Sequence, residues 1–191
     1  MPKERLTAFS DGVIAIIITI MVLELKVPHG ADWSALAKLL PVFLSYVLSF
    51  VYLAIYWNNH HHLLHTVRRV NGVILWANMH LLFWLSLIPF TTGWMGENHF
   101  AHLPTALYGV ALLASAIAYN ILQWSIIRTH GSDGELSRAI GSDFKGKSSP
   151  VLYLLAIMLA FFEPRVSHAI YVLVALMWLV PDRRIESKLE S

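Results

Sequence analysis

Long apolar runs separated by short polar stretches dominate the chain, and their lengths predict helices that cross a bilayer. A span needs about 20 residues, at roughly 1.5 Å rise each, to cross the roughly 30 Å of hydrocarbon. Six runs are candidates: Thr7 to Leu25, Ala35 to Trp57, Val73 to Trp94, Pro104 to Ile127, Pro150 to Phe162 and Val166 to Val180. The last two are short, and a re-entrant hairpin is the alternative to two complete crossings. Glu163, Pro164 and Arg165 alone separate them, which predicts a tight helical hairpin with Pro164 as the stop. Thr129 to Ser149, rich in Gly, Ser and charge, predicts a flexible connector that divides a four-helix part from a two-helix part. No internal repeat signals the inverted symmetry of many secondary transporters.

The expected fold is therefore all-α, one polytopic six-helix domain over residues 1–191. Composition agrees, because 57% apolar against 14% charged residues is too lipophilic for an ordinary soluble domain. Orientation follows from Lys and Arg, which stay on the cytoplasmic side. With both termini inside, Lys3, Arg5, Arg68, Arg69, Arg128, Arg138, Lys145, Lys147, Arg183, Arg184 and Lys188 lie in the cytoplasm; Lys26, Lys38 and Arg165 lie outside. The first run has no small-residue cleavage pattern before Glu24, so a retained first helix and a mature start at Met1 in the plasma membrane are expected. The chain has no cysteine, which excludes disulfides, thiolate metal sites and Cys nucleophiles. A net charge of +2 gives no reason to expect nucleic acid as a partner.

The first helix carries the sharpest pattern. At about 100° per residue, Phe9, Gly12, Ile16, Thr19, Ile20, Leu23 and Val27 share one stripe, with Arg5 extending it toward the cytoplasm. Asp11, Ala15, Ile18 and Val22 fall on the opposite side. A carboxylate so near a span needs stabilisation. Either water and the helix dipole at the interface supply it, or Asp11 pairs with His, Asn, Trp or Arg side chains from the second and third helices.

The run Arg5-Leu6-Thr7-Ala8-Phe9-Ser10-Asp11 resembles the RxxxFSD signature that opens the first helix in the transmembrane protein 175 family of potassium channels. The similarity extends to the length, the six runs, the His-rich end of the second helix and the Asn, Trp and Pro-Phe elements of the third. This resemblance implies a single-repeat homotetramer in which four copies of the first helix line a potassium-conducting pore, surrounded by lipid and without a cofactor. It implies that Ile16, Ile20 and Leu23 form the constriction, and that Thr19 is a candidate for weak potassium preference. It also implies that a His at the end of the second helix, with Trp76 or Asn78, bonds to Ser10 or Asp11 and so positions the first helix. A ring of Ile or Leu can hold a pore shut by dewetting.

His60, His61, His62 and His65 close the second helix, and spacing does not decide which of them takes that role. His61 and His65 share a helical face at i, i+4 and could bind a metal or haem, which leaves a membrane redox protein as an alternative reading. The other His residues are scattered and no carboxylate-rich set accompanies them, so no metal site is expected. A coupled secondary transporter is a further alternative. Trp33, Trp57, Trp94 and Trp178 fall near predicted span ends, where indoles favour headgroups. No Walker loop, dinucleotide fingerprint, nucleophile elbow or zinc signature is present, and no catalytic residue is expected.

Overall fold

The computed structural model describes residues 2–130 and 144–179, and these residues are helical apart from short turns. The helices are α1 (Lys3–Leu23), α2 (Trp33–Ala37), α3 (Leu40–His65), α4 (Gly72–Ser86), α5 (Ile88–Glu97), α6 (His102–His130), α7 (Phe144–Ala160) and α8 (Pro164–Leu179). Four segments are long and apolar enough to cross a membrane: α1, α3, the α4–α5 pair and α6. The helices α7 and α8, with 17 and 16 residues, are shorter.

Prolines and caps account for the boundaries that differ from those predicted. The third apolar run is two helices meeting at Leu87, because Pro89 has no N–H to give and its ring crowds the preceding turn. The second run divides as well. Asp32 caps the short α2, its Oδ1 accepting from Ala35 N at 2.9 Å, and α3 begins only at Leu40 with Pro41 in its first turn. Two hydrogen bonds from Ala35 N–H and the Ser34 hydroxyl also hold the exposed Asp32 carboxyl below the usual aspartate pKa. At its other end α3 continues past Trp57 to His65.

The hairpin forms, but Pro164 does not stop a helix. Helix α7 ends at Ala160, and Pro164 is the first residue of α8, where a missing N–H costs nothing. The predicted connector is helical at both flanks, since α6 runs to His130 and α7 begins at Phe144; its centre lies outside the described residues. So do Val180, Arg138, Arg183, Arg184 and Lys188.

Helix α6 is central, packed against α4, α5 and α7, while α8 pairs with α7 and touches α3. Buried hydroxyls bind these elements together. Tyr52 donates to the Tyr171 carbonyl at 2.6 Å, Tyr171 donates to the Thr105 carbonyl at 3.1 Å, and Ser49 joins Tyr108 at 3.0 Å and Thr92 at 2.6 Å. Lipid offers no such partners, so each of these groups has to be satisfied inside the bundle. Many large apolar side chains face outward along α3, α7 and α8, among them Phe43, Val47, Leu154, Met158, Leu173 and Leu176. A surface of this kind belongs in lipid.

The core is packed tightly around Gly109 of α6. A Cβ there would strike the Tyr171 hydroxyl and come within 2.8 Å of Ile157 Cγ1. Gly109→Ala is expected to destabilise the fold by about 1–3 kcal/mol, the usual effect of overpacking. Thermal unfolding in detergent checks this, and an unchanged midpoint would contradict the tight α6–α8 contact.

Candidate functional site

Helix α1 lies at the edge of the bundle, on α3, α4 and α5. Its buried residues, Leu6, Ser10, Ile14, Ile17 and Met21, recur at three- and four-residue intervals and make one narrow face. The remaining circumference is open. Phe9, Gly12, Ile16, Thr19, Ile20, Leu23 and Val27, the stripe read from the sequence, are all exposed, with Ile16 at 59% and Leu23 at 78%. The side taken as opposite is mixed: Asp11 and Ile18 are half-buried, whereas Ala15 and Val22 are exposed. The helix is thus anchored by one narrow face.

A buried polar chain fixes that anchor. His60 Nε2 and Asn78 Oδ1 lie 2.7 Å apart, Asn78 Nδ2 donates to Ser10 Oγ at 3.0 Å, and Ser10 Oγ donates to the Leu6 carbonyl at 2.8 Å. Directions follow in turn. Ser10 spends its only proton on Leu6, so Asn78 must donate to Ser10, and Asn78 Oδ1 is left to accept from His60 Nε2–H. All three residues are fully buried, and bonds in such a chain polarise one another. A second tie lies nearer the surface, where Trp57 Nε1 donates to Asp11 Oδ1 at 3.0 Å.

The structure brings together Ser10 and Asn78, and separately Asp11 and Trp57, but not the other residues proposed for positioning. The ring of His61 meets those of His62 and His65 edge-to-face at the end of α3, and none of the three rings bonds to α1, while Arg5 is exposed. Trp76 is 75% exposed, since two residues along a helix from Asn78 place it on nearly the opposite face. His60 is the histidine that serves. The phase of α3 carries a signal for it, because Ser49, Tyr52, Tyr56 and His60 recur at three- and four-residue steps along the buried side. Trp57, named from sequence as a headgroup anchor, is the residue that pairs with Asp11, in keeping with the expected His, Asn, Trp or Arg partner from the second or third helix.

On one flank of α1 an apolar groove of about 560 Å³ opens toward α5, lined by Val13, Ile16, Ile17, Ile20, Phe90 and Trp94 among others. At its far end Lys26 pairs with Glu97 at 2.6 Å. That hydrogen bond, with the neighbouring negative charge, raises the Lys26 pKa above the ordinary lysine value. Thr19 Oγ1 donates to the Ile16 carbonyl at 2.9 Å, so the outward side of this hydroxyl presents lone pairs. Among the described residues no three His, Asp or Glu side chains converge on a metal position.

The profile of the family described as endosomal/lysosomal potassium channel TMEM175 matches residues 5–89, which include α1 from Arg5 onward and the whole of the polar chain. The chain is 58% identical, over the full length of both, to a potassium channel of Chryseobacterium sp. (strain P1-3). It is 33% identical to a potassium channel of Chamaesiphon minutus, covering 83% of this chain and 84% of that one. The crystal structure of a lysosomal potassium-selective channel TMEM175 homolog from Chamaesiphon minutus superposes with a TM-score of 0.82 at 30% identity, over 93% of this chain and 96% of that one.

Proposed function

We propose, from the premise that this chain belongs to the TMEM175 family, that it conducts potassium passively through a pore lined by α1. The family is one of ion channels rather than enzymes, and the chain is a multi-pass membrane protein. The single observation that carries the reading is the divided surface of α1: a narrow face held by buried hydrogen bonds, and a largely apolar stripe that stays exposed among the described residues.

In the proposed assembly four protomers surround one axis and each contributes α1. Ile16, Ile20 and Leu23 confront their symmetry mates and narrow the path, so the closed pore is dry and slight widening wets it. Thr19 stands between Ile16 and Leu23 on the same stripe. Its outward lone pairs have the polarity that a cation needs, which supports a weak preference for potassium over sodium. The buried chain from Ser10 to Asn78 and His60, with the Asp11–Trp57 pair, holds α1 at a fixed rotation so that the stripe faces the axis.

The same reading has α7 and α8 crossing the membrane as the fifth and sixth spans, in the plasma membrane, with both termini in the cytoplasm. Their 17 and 16 residues reach only about 25 Å, and the flanking Lys145, Lys147 and Arg165 can snorkel to make up the difference. Purified protein in liposomes tests conduction. A potassium gradient should collapse without a coupled flow of protons or sodium. Absence of flux with the gradient imposed in either direction would refute the channel reading, and saturable, ion-coupled uptake would assign a transporter instead.

A further inference from the structure

At the end of the bundle that carries the amino terminus, a cavity of about 630 Å³ opens between the first turn of α1 and the turn joining α3 to α4. Lys3, Glu4, His65, Arg68 and Arg69 line it. Three permanent cations therefore face one carboxylate, and among the described residues neither arginine has an ion-pair partner. The tendency of Lys and Arg to collect on one side of a membrane explains cations at this level, but not their convergence around a cavity.

The cavity is also pre-shaped. His130, at the end of α6, accepts through Nε2 from the backbone N–H groups of both Arg68 and Arg69, at 3.1 and 3.2 Å. Asn71 caps α4 with its Oδ1 and donates from Nδ2 to Thr129 at 3.0 Å. On the opposite wall, Lys3 Nζ donates to the carbonyl of His65 at 3.2 Å, tying the start of α1 to the end of α3. The backbone carrying the arginines is thus pinned before any ligand arrives, which lowers the ordering cost of binding.

We propose that this cavity binds the phosphate headgroup of an anionic phospholipid, with Arg68 and Arg69 on the phosphate and Lys3 completing the shell. Guanidinium pairs match phosphate oxygens in a planar, bidentate fashion. The position selects a lipid over a soluble anion. The cavity lies at the end of apolar membrane-crossing segments, at the depth where headgroups sit and beside surfaces where their acyl chains can lie.

The test is a titration of the intact protein in neutral detergent with phosphatidylglycerol or phosphatidylcholine, with bound lipid counted by native mass spectrometry. Phosphatidylglycerol should bind more tightly than phosphatidylcholine. Arg68→Gln and Arg69→Gln should each weaken it by roughly fivefold, the effect of one interfacial cation. Lys3→Gln should weaken it too, while Lys38→Gln, near the far end of the bundle, should leave it unchanged. Arg68, Arg69 and Lys38 are exposed and Lys3 is half-buried, so none of the four substitutions touches the core. Equal affinity for the two lipids, or undiminished phosphatidylglycerol binding in the Arg68→Gln/Arg69→Gln double variant, would overturn the proposal. Displacement of the lipid by inorganic phosphate at matched ionic strength would also overturn it, by assigning the cavity to a free anion. The readout is binding alone, so its failure leaves the conduction reading untouched.

Discussion

Ile16→Asn and Leu23→Asn are each expected to raise the resting potassium leak by roughly tenfold or more. Both side chains are largely exposed in the protomer, so replacing them does not hollow its core. In the proposed tetramer each substitution appears four times around the axis. Four amides hold water where four branched apolar side chains exclude it, and the barrier to a partly dehydrated ion falls. A reduction of only about 1.4 kcal/mol is already a tenfold rise in rate. Leu23, near the end of α1, and Ile16, two turns deeper, should respond in the same direction, because a dry column opens wherever it is first wetted. Flux from liposomes at matched protein density measures this, and unchanged conductance in both variants would move the pore away from α1.

The second large effect is expected from Asn78→Leu, which keeps the branched shape of the side chain at a larger volume but removes both the donor to Ser10 and the acceptor from His60. The buried His60 ring, whose Nδ1 has no partner among the described residues, then loses its remaining hydrogen bond, and Ser10 keeps only its bond to the Leu6 carbonyl. In water-soluble proteins each such orphan costs about 1–3 kcal/mol. Interhelical bonds in membranes average nearer 0.6 kcal/mol, because the loosened helices find other partners. A loss of about 1–4 kcal/mol in total is therefore expected, seen as a lowered unfolding midpoint and dissociation of the oligomer in detergent. Trp76→Leu is the control, since that indole is 75% exposed and bonds to nothing on α1. Equal losses in the two variants would show that the polar chain does not hold the helix.

The helices themselves are legible in the sequence, because lipid leaves a backbone few alternatives and apolar runs of sufficient length declare them. Their ends are less so. Pro89 divides the α4–α5 segment and Pro164 opens a helix instead of ending one, and in both cases the proline alone does not say on which side of it the helix lies. The stripe on α1 is readable for a simple reason: its residues differ in size and polarity from Ser10 and Asp11, which mark the other side. The partner histidine is not readable in that way. His60, His61 and His62 are chemically identical neighbours, and only the phase set by Ser49, Tyr52 and Tyr56 selects the first of them. The cavity at Arg68 and Arg69 is invisible to spacing altogether, since it joins residues more than sixty positions apart around the start of α1.

The account rests on Leu23 and its mates meeting across water, and the absence of cysteine from the chain makes a direct probe available. In Leu23→Cys the new thiol is unique, so reaction there has one meaning. A charged, water-soluble methanethiosulfonate added to channels in liposomes should modify this thiol and block potassium flux, because its bulk and positive charge would then sit in the conduction path. Undiminished flux after treatment, together with labelling of the same thiol by a lipid-soluble maleimide, would place Leu23 against acyl chains and contradict a pore along α1.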